Sequence, residues 1–399
     1  MYYSTLRTLG LAVTAALAIV ACGKKADQAQ PAGQSAPAGA SAAGDVEVVK
    51  LGFAGPLTGP QAHYGTDMKN GILLAVDDAN AQNPEIGGKK VKFELISEDD
   101  QADPKTGAQM AQRLVDAKVN GIIGHFNSGT SIPASKIYSD AGLPQIAMAT
   151  APTYTQQGFK TTFRAMTSDT QQGGVMGPFV VNKLGFKKIA IIDDRTAYGQ
   201  GLADEFEKSA KAAGGQIVKR EFTNDKATDF TAILTAIKGA QPDAIFYGGA
   251  DAQSAPLAKQ LKRLGLKATL VSGEMTRTPT FLQLAGAEAD GVIASLAGLP
   301  MDKMPGGKDF ETRFKAKFGA MELYSPYAYD ATMTMIAAMK KANSVDPVKY
   351  LPELAKIESQ GVTSAKIAYD EKGDLKAGDI TVYKVEKGQW TVLETVSGS

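Results

Sequence analysis

Five side chains in this 399-residue chain carry the chemistry to hold a small zwitterion by both ends: Tyr64, Ser128, Thr150, Tyr198 and Glu274. Hydroxyls such as those of Ser128 and Thr150, set beside backbone N–H groups where a helix starts, suit a carboxylate, because orphan amides and the helix dipole favour an anion. Glu274 suits an ammonium. Tyr64 and Tyr198 offer rings for an apolar body and hydroxyls for hydrogen bonds. Taken singly, each has a plainer reading. Ser and Thr at such places are most often helix caps, Glu274 fits a solvated loop acid, and the tyrosines fit packing. What joins them is position: each falls in a loop directly after an apolar run.

The same residue types speak against catalysis. There is no Gly-x-Ser-x-Gly, no Gly-x-x-x-x-Gly-Lys-Ser/Thr and no Gly-x-Gly-x-x-Gly after a strand. The two histidines, His63 and His125, lack metal-ligand spacing. His125, Ser128 and Asp100 could be drawn as a triad, but no nucleophile elbow accompanies them, so a loop histidine near the cleft is the expectation. The acidic run Glu98-Asp99-Asp100 with Asp103 reads as a strand end and a helix cap, since the twelve-residue calcium pattern is absent. No enzyme activity, cofactor or metal is expected.

The elements that must position these loops alternate. Strand-like runs at 46–53, 91–97, 121–126 and 145–150 are separated by amphipathic stretches, the first with Met68, Ile72, Ala75, Val76 and Ala79 at the helical period. Asp103-Pro104 supplies a cap and a first-turn proline for the next helix. A second series follows a helix from 168 to 184, with strands at 188–193, 216–222, 244–247 and 268–271 and helices at 199–213, 230–237 and 255–264. Strands spaced by helices of this length predict two doubly wound α/β lobes in tandem. Helices dominate 309–358, and the tail (365–369, 380–385, 389–393) predicts a closing antiparallel meander. Ligands of such sheets bind beyond the carboxyl ends of the strands. The loops to inspect are 55–65, 125–131 and 147–152, with Met148, Ala149 and Thr150, then 193–199, 248–251, with Ala250 and Asp251, and 272–275.

Composition narrows the setting. Cys22 is the only cysteine, preceded by Arg7, an apolar stretch at 9–20 and the small residue Ala21. This order predicts a signal peptide over 1–21, and Leu-Ala-Ile-Val-Ala-Cys resembles a lipobox, which would make Cys22 a lipid attachment point. The apolar stretch is shorter than the roughly 20 residues a bilayer span needs. Residues 22–45 hold no large apolar side chain after the cysteine and predict a disordered tether. A formal charge of +1, neutral once Arg7 is lost, argues against nucleic acid. The expected place is periplasmic and lipid-anchored, as a monomer.

In its order of motifs the chain resembles the leucine/isoleucine/valine-binding proteins, the type I periplasmic substrate-binding components of ABC importers. The resemblance covers about residues 46–395 and rests on VKLGFAGPLTGPQAHYG, GHFNSGTSIPAS, ATAPTYT, DDRTAYGQGLADEF, FYGGADAQ and YDEKGDLKAGDITVY. It implies a type I periplasmic-binding-protein fold, with one lobe from 46–167 and 299–374 and the other from 168–298 and 375–399. The lobes would be joined by a three-strand hinge near 167–169, 297–300 and 373–376. It implies that Ser128 and Thr150 hold a ligand carboxylate and that Glu274 holds the ammonium with help from Met148–Thr150. Tyr64, Tyr198 and Tyr324 would cover the ligand. Two cysteines that some members pair are replaced, by Gln101 or a neighbour and by Asn127. An aromatic residue that some members carry after the Gly-Gly of the second lobe is Ala250 here, followed by Asp251. The implied function is capture of an amino acid, branched-chain or other apolar or aromatic, for delivery to importer permeases. The alternative is a lipid-tethered sensor of a small amide or amino acid.

Overall fold

A computed structural model of the chain describes residues 46–376 and 378–397; the 1–21 leader, Cys22 and the 22–45 tether lie outside the described residues. The first sheet holds β1 (Glu47–Gly55), β2 (Glu85–Ile86), β3 (Lys89–Asp99), β4 (Gly121–Gly124), β5 (Gln145–Ala147) and β6 (Thr162–Arg164) in the order β2-β3-β1-β4-β5-β6. Every pairing is parallel except β2 on β3. The second sheet begins with β7 (Lys188–Asp193), β8 (Gln216–Phe222), β9 (Ala244–Gly248), β10 (Thr269–Ser272) and β11 (Ile293–Ala297). A small ladder of β12 (Glu358–Ser359) and β13 (Ile367–Ala368) stands apart. Then β14 (Asp379–Glu386) and β15 (Gln389–Ser397) add antiparallel, completing the order β15-β14-β11-β10-β9-β7-β8. Central strands such as β4, β5 and β9 are buried at every residue, as parallel strands covered on both faces should be.

The helices follow the sequence pattern. The apolar stripe of α1 (Ala62–Ala81), from Met68 through Ala79, is buried. Asp103 caps α2 (Pro104–Asp116), accepting from the Thr106 amide at 2.8 Å, with Pro104 in the first turn. Next come α3 (Ser128–Asp140), α4 (Thr153–Gln156) and α5 (Asp169–Pro178), which runs into a π-helical turn at Phe179–Lys183. On the second sheet lie α6 (Ala197–Ala212), α7 (Thr231–Lys238), α8 (Asp251–Arg263) and α9 (Pro279–Ala285). The chain then returns: α10 (Gly307–Phe318) and α11 (Ser325–Lys341) pack on α1, and α12 (Pro347–Ala355) packs on α11. Gly71 makes the α1–α11 approach possible, because a Cβ there would collide with the Ser325 backbone.

The chain therefore passes between the two sheets three times, after β6, after β11 and between β13 and β14. The first and third crossings touch: the Arg164 amide donates to the Gly373 carbonyl at 2.9 Å. Gly373 has φ +92°, and a side chain there would run into the Thr162 carbonyl. Two features differ from the sequence pattern. Only β14 and β15 form the closing antiparallel pair in the second sheet; the 365–369 run stays with the first lobe, where Tyr369 packs on Phe163 at 4.9 Å between centroids. The strand β11, Ile-Ala-Ser-Leu-Ala, has small residues that hide its β character, yet it is wholly buried beside β10 and β14.

Candidate functional site

Between the two lobes lies a narrow cavity, about 210 Å³ when counted out to its open mouth, whose walls include Ser128, Met148, Thr150, Tyr198, Glu274 and Tyr324. Six of the residues expected to meet a ligand are thus brought together, from loops up to 196 positions apart in the chain, Ser128 to Tyr324. Phe126, Asn127 and Met275 complete the wall.

One end of the cavity is built for an anion. β4 ends at Gly124, and α3 starts at Ser128 with its first turn at the cavity wall. The Ser128 hydroxyl accepts the Ala151 amide at 3.2 Å, which sets the loop after β5 beside it. Thr150 in that loop is part of the wall, and its carbonyl accepts the Asp169 amide at 2.8 Å. Arg164, wholly buried, holds this loop from beneath. Its guanidinium donates to the Ala149 carbonyl, to the Ala151 carbonyl at 3.2 Å and to the Thr155 hydroxyl at 2.9 Å, and its Nε reaches Asp374 at 2.8 Å. Ala149 is consequently committed to Arg164 and is not part of the cavity wall.

The other end is acidic. Glu274 follows β10 and is buried; its Oε2 accepts from Gln172 Nε2 at 2.5 Å and from the Tyr198 hydroxyl at 3.0 Å. Both donors reach one oxygen, which leaves Oε1 for a further partner. Asp169, the first residue of α5, is wholly buried, and neither carboxylate oxygen has a hydrogen-bond partner. Burial pushes both carboxyls above their usual range, and the Glu274 charge pushes Asp169 higher still. The Thr150 hydroxyl is near enough to offset part of this for Asp169, short of hydrogen-bond geometry. Two buried carboxylates that oppose each other's ionisation are both relieved by a cation placed between them.

Aromatic rings close the sides. Tyr64 stacks on Phe126 at 4.9 Å and meets Tyr324 edge-on at 5.7 Å; Phe126 and Tyr324 meet at 4.7 Å. The Tyr64 hydroxyl donates to the Met275 carbonyl at 2.5 Å, across the lobes, so Tyr64 backs the wall rather than facing the cavity. The Tyr324 hydroxyl is buried with no protein partner. Its position depends on Asp67 of α1, which accepts the amides of residues 322–325 at 2.6–3.0 Å.

Asp251 lies elsewhere. Its Oδ2 takes His63 Nε2 at 2.8 Å and the Thr278 hydroxyl at 2.7 Å, so it pins α1 of one lobe to α8 of the other. Thr280 and Glu322 make a second strap at 3.0 Å. Ala250 faces a wider neighbouring cavity. His125, Ser128 and Asp100 do not form a triad: His125 Nδ1 meets Asp100 at 2.8 Å and Nε2 meets the Tyr138 hydroxyl at 2.9 Å, all buried, so neither ring nitrogen is left for Ser128. The acidic run has structural partners, Asp99 accepting from Leu57 and Gln101 amides and Asp103 capping α2.

Sequence reading missed Phe126, Met275, Gln172, Asp169 and Arg164. Phe126 and Met275 stand next to residues that were singled out, so their strand-end location was a usable signal. Asp169 follows Ser168 at a helix start and looks like a capping sequence, which Gln171 supports by accepting the Ser168 amide at 3.2 Å. Nothing local marks Gln172 or Arg164.

A family model described as periplasmic binding protein matches residues 48–389. The Leu/Ile/Val-binding protein homolog 1 of Brucella abortus is 35% identical over 341 residues, covering 85% of this chain and 91% of that one. Among solved structures, the leucine binding protein LivK from Thermotoga maritima superposes with a TM-score of 0.81 at 27% identity, covering 87% of this chain and 98% of that one. The LivJ substrate binding protein of Streptococcus pneumoniae, in complex with isoleucine, superposes with a TM-score of 0.79 at 26% identity, covering 88% and 100%. With its two mostly parallel sheets, three crossings and interlobe cavity, the chain belongs to the leucine/isoleucine/valine-binding family of type I periplasmic binding proteins.

Proposed function

We propose that this protein captures an α-amino acid between its lobes and delivers it, unaltered, to the permease subunits of an ABC importer. The observation that carries this reading is the make-up of the cavity wall: Ser128 at a helix start and Thr150 from one lobe, and the buried Glu274 carboxyl from the other, with Asp169 buried behind Thr150. A carboxylate and an ammonium on one carbon match the two ends. Aromatic walls between them accept an apolar body. Lobe closure would be the signal the importer reads, held by contacts made only when the lobes meet. Lipid attachment at Cys22 would keep the carrier at the membrane in the periplasm. The test is a thermal-shift screen of the refolded protein with the twenty amino acids. At least one should raise the melting temperature through linkage, while its des-amino analogue should not. No shift with any amino acid, or chemical conversion of one, would overturn the reading.

The His63–Asp251 bridge adds a pH dependence. Burial works against a charged ring, but the bond to Asp251, with Glu322 and Asp67 also facing it, holds His63 above its ordinary value. With the lobes apart, the imidazole loses Asp251, the partner from the other lobe, and its affinity for a proton falls. Closure therefore takes up a proton in the window between the open-lobe value and the raised one; its benefit is full below the window and lost above it. Ligand affinity should therefore fall as the pH rises from 6 to 8. Calorimetry on His63→Gln should give a flatter profile; an unchanged slope would remove His63 from closure.

A further inference from the structure

The cleft continues past the ligand chamber. Asn127, Tyr198 and Met275 each face both the 210 Å³ cavity and a wider one of about 1070 Å³, counted out to its open mouth between the lobes. To the wider cavity the second lobe contributes Ala250, buried and ending in a methyl group, so no larger side chain enters from that position. Gln61 from the first lobe and Asp194 and Asp225 from the second also line it.

Its polar groups include buried acceptors. Asn127 gives its Nδ2 to Gln61 Oε1 at 2.7 Å, and its own Oδ1 is buried with no partner. Burial pushes the Asp194 carboxyl up to about 6, and the charges of Asp225 and Asp193 add to the push. Arg195 is on the same wall. Its guanidinium lies over the Phe222 ring at 4.0 Å, with Nε 3.7 Å from Asp193.

Resting on the amino-acid reading above, we propose that the wider cavity is the side-chain subsite, and that the ligand is an α-amino acid with a chain longer than leucine's ending in N–H donors, a carboxamide or guanidinium. Ala250 is the residue that admits it. A branched aliphatic chain would stop at Met275 and leave the Asn127 oxygen desolvated and unmatched, an arrangement that disfavours the ligand lacking the donor.

The experiment is calorimetry of the refolded full-length protein with leucine, methionine, glutamine and arginine. Glutamine or arginine should bind at least about tenfold tighter than leucine. Ala250→Tyr should reduce that preference at least about tenfold by filling the passage. Asp225→Asn, in a half-buried loop that tolerates the isostere, should reduce the arginine-to-leucine ratio about threefold or more. Leucine or methionine binding tightest, or a ratio unmoved by both substitutions, would overturn this inference alone. Absence of saturable binding by any amino acid would overturn it together with the reading on which it rests.

Discussion

Glu274→Gln should weaken binding of the cognate amino acid by about 2–5 kcal/mol, the range found when one partner of a desolvated charge pair is neutralised. The side chain is 2% exposed and accepts from Gln172 and Tyr198, so its negative charge is concentrated where the ammonium would lie. The amide keeps the shape but cannot balance the ligand charge, leaving Asp169 to do so alone. A second reading separates this from simple damage. Burial holds the Asp169 carboxyl above its usual range and the Glu274 charge raises it further, so removing that charge relieves a repulsion within the unliganded protein. The variant should melt at the same temperature or higher without ligand, and bind far more weakly with it. Unchanged calorimetric affinity would place the ammonium elsewhere.

Arg164→Leu should cost about 3–5 kcal/mol of folding stability, measured by urea unfolding. Four acceptors depend on this wholly buried guanidinium: the Ala149 and Ala151 carbonyls, the Thr155 hydroxyl and Asp374. An apolar side chain leaves all four without their donor, and Asp374 with no counter-charge from below. The loop of Ala149 and Ala151 carries Thr150, so folded molecules should also bind ligand less tightly. Arg164→Lys should recover only a minor part, because one ammonium cannot span a planar fork of acceptors. Loss below about 1 kcal/mol would show that the loop is held by its other contacts. Arg164 acts through Thr150 and is a positioning residue.

Much of the scaffold was readable because its signals are local. Strand β7 at 188–193 and strand β8 at 216–222 coincide with their apolar runs to the residue. The α2 start was marked by Asp103-Pro104 and uses both as read. β6 and β11 were not legible: a three-residue strand and a run of Ala and Ser carry almost no periodic signal, and neighbours decide their state. The tail shows the limit differently. Residues 365–369 alternate as convincingly as 380–385, but the turn between them, with Asp370 accepting the Lys372 and Asp374 amides, is a crossing between lobes.

The site divides along the same line. Ser128, Thr150, Tyr198 and Glu274 could be named in advance because a parallel α/β sheet offers only its strand-end loops to a ligand. Residue type then suggested which end of a zwitterion each would hold. Whether a named residue faces the cavity was a tertiary matter. Asp251 and Tyr64 sit in the right loops, yet neither is on the cavity wall: Oδ2 of the first is taken by His63 and Thr278, and the hydroxyl of the second by the Met275 carbonyl. Asp169 brings a buried carboxyl beside Thr150 and Glu274 from a position that looks like helix capping. Order along the chain determined the lobes and the loops at their rims, since backbone pairing and burial follow local pattern. Only the folded packing decided which polar atoms were left without a protein partner, because that depends on groups more than a hundred residues away.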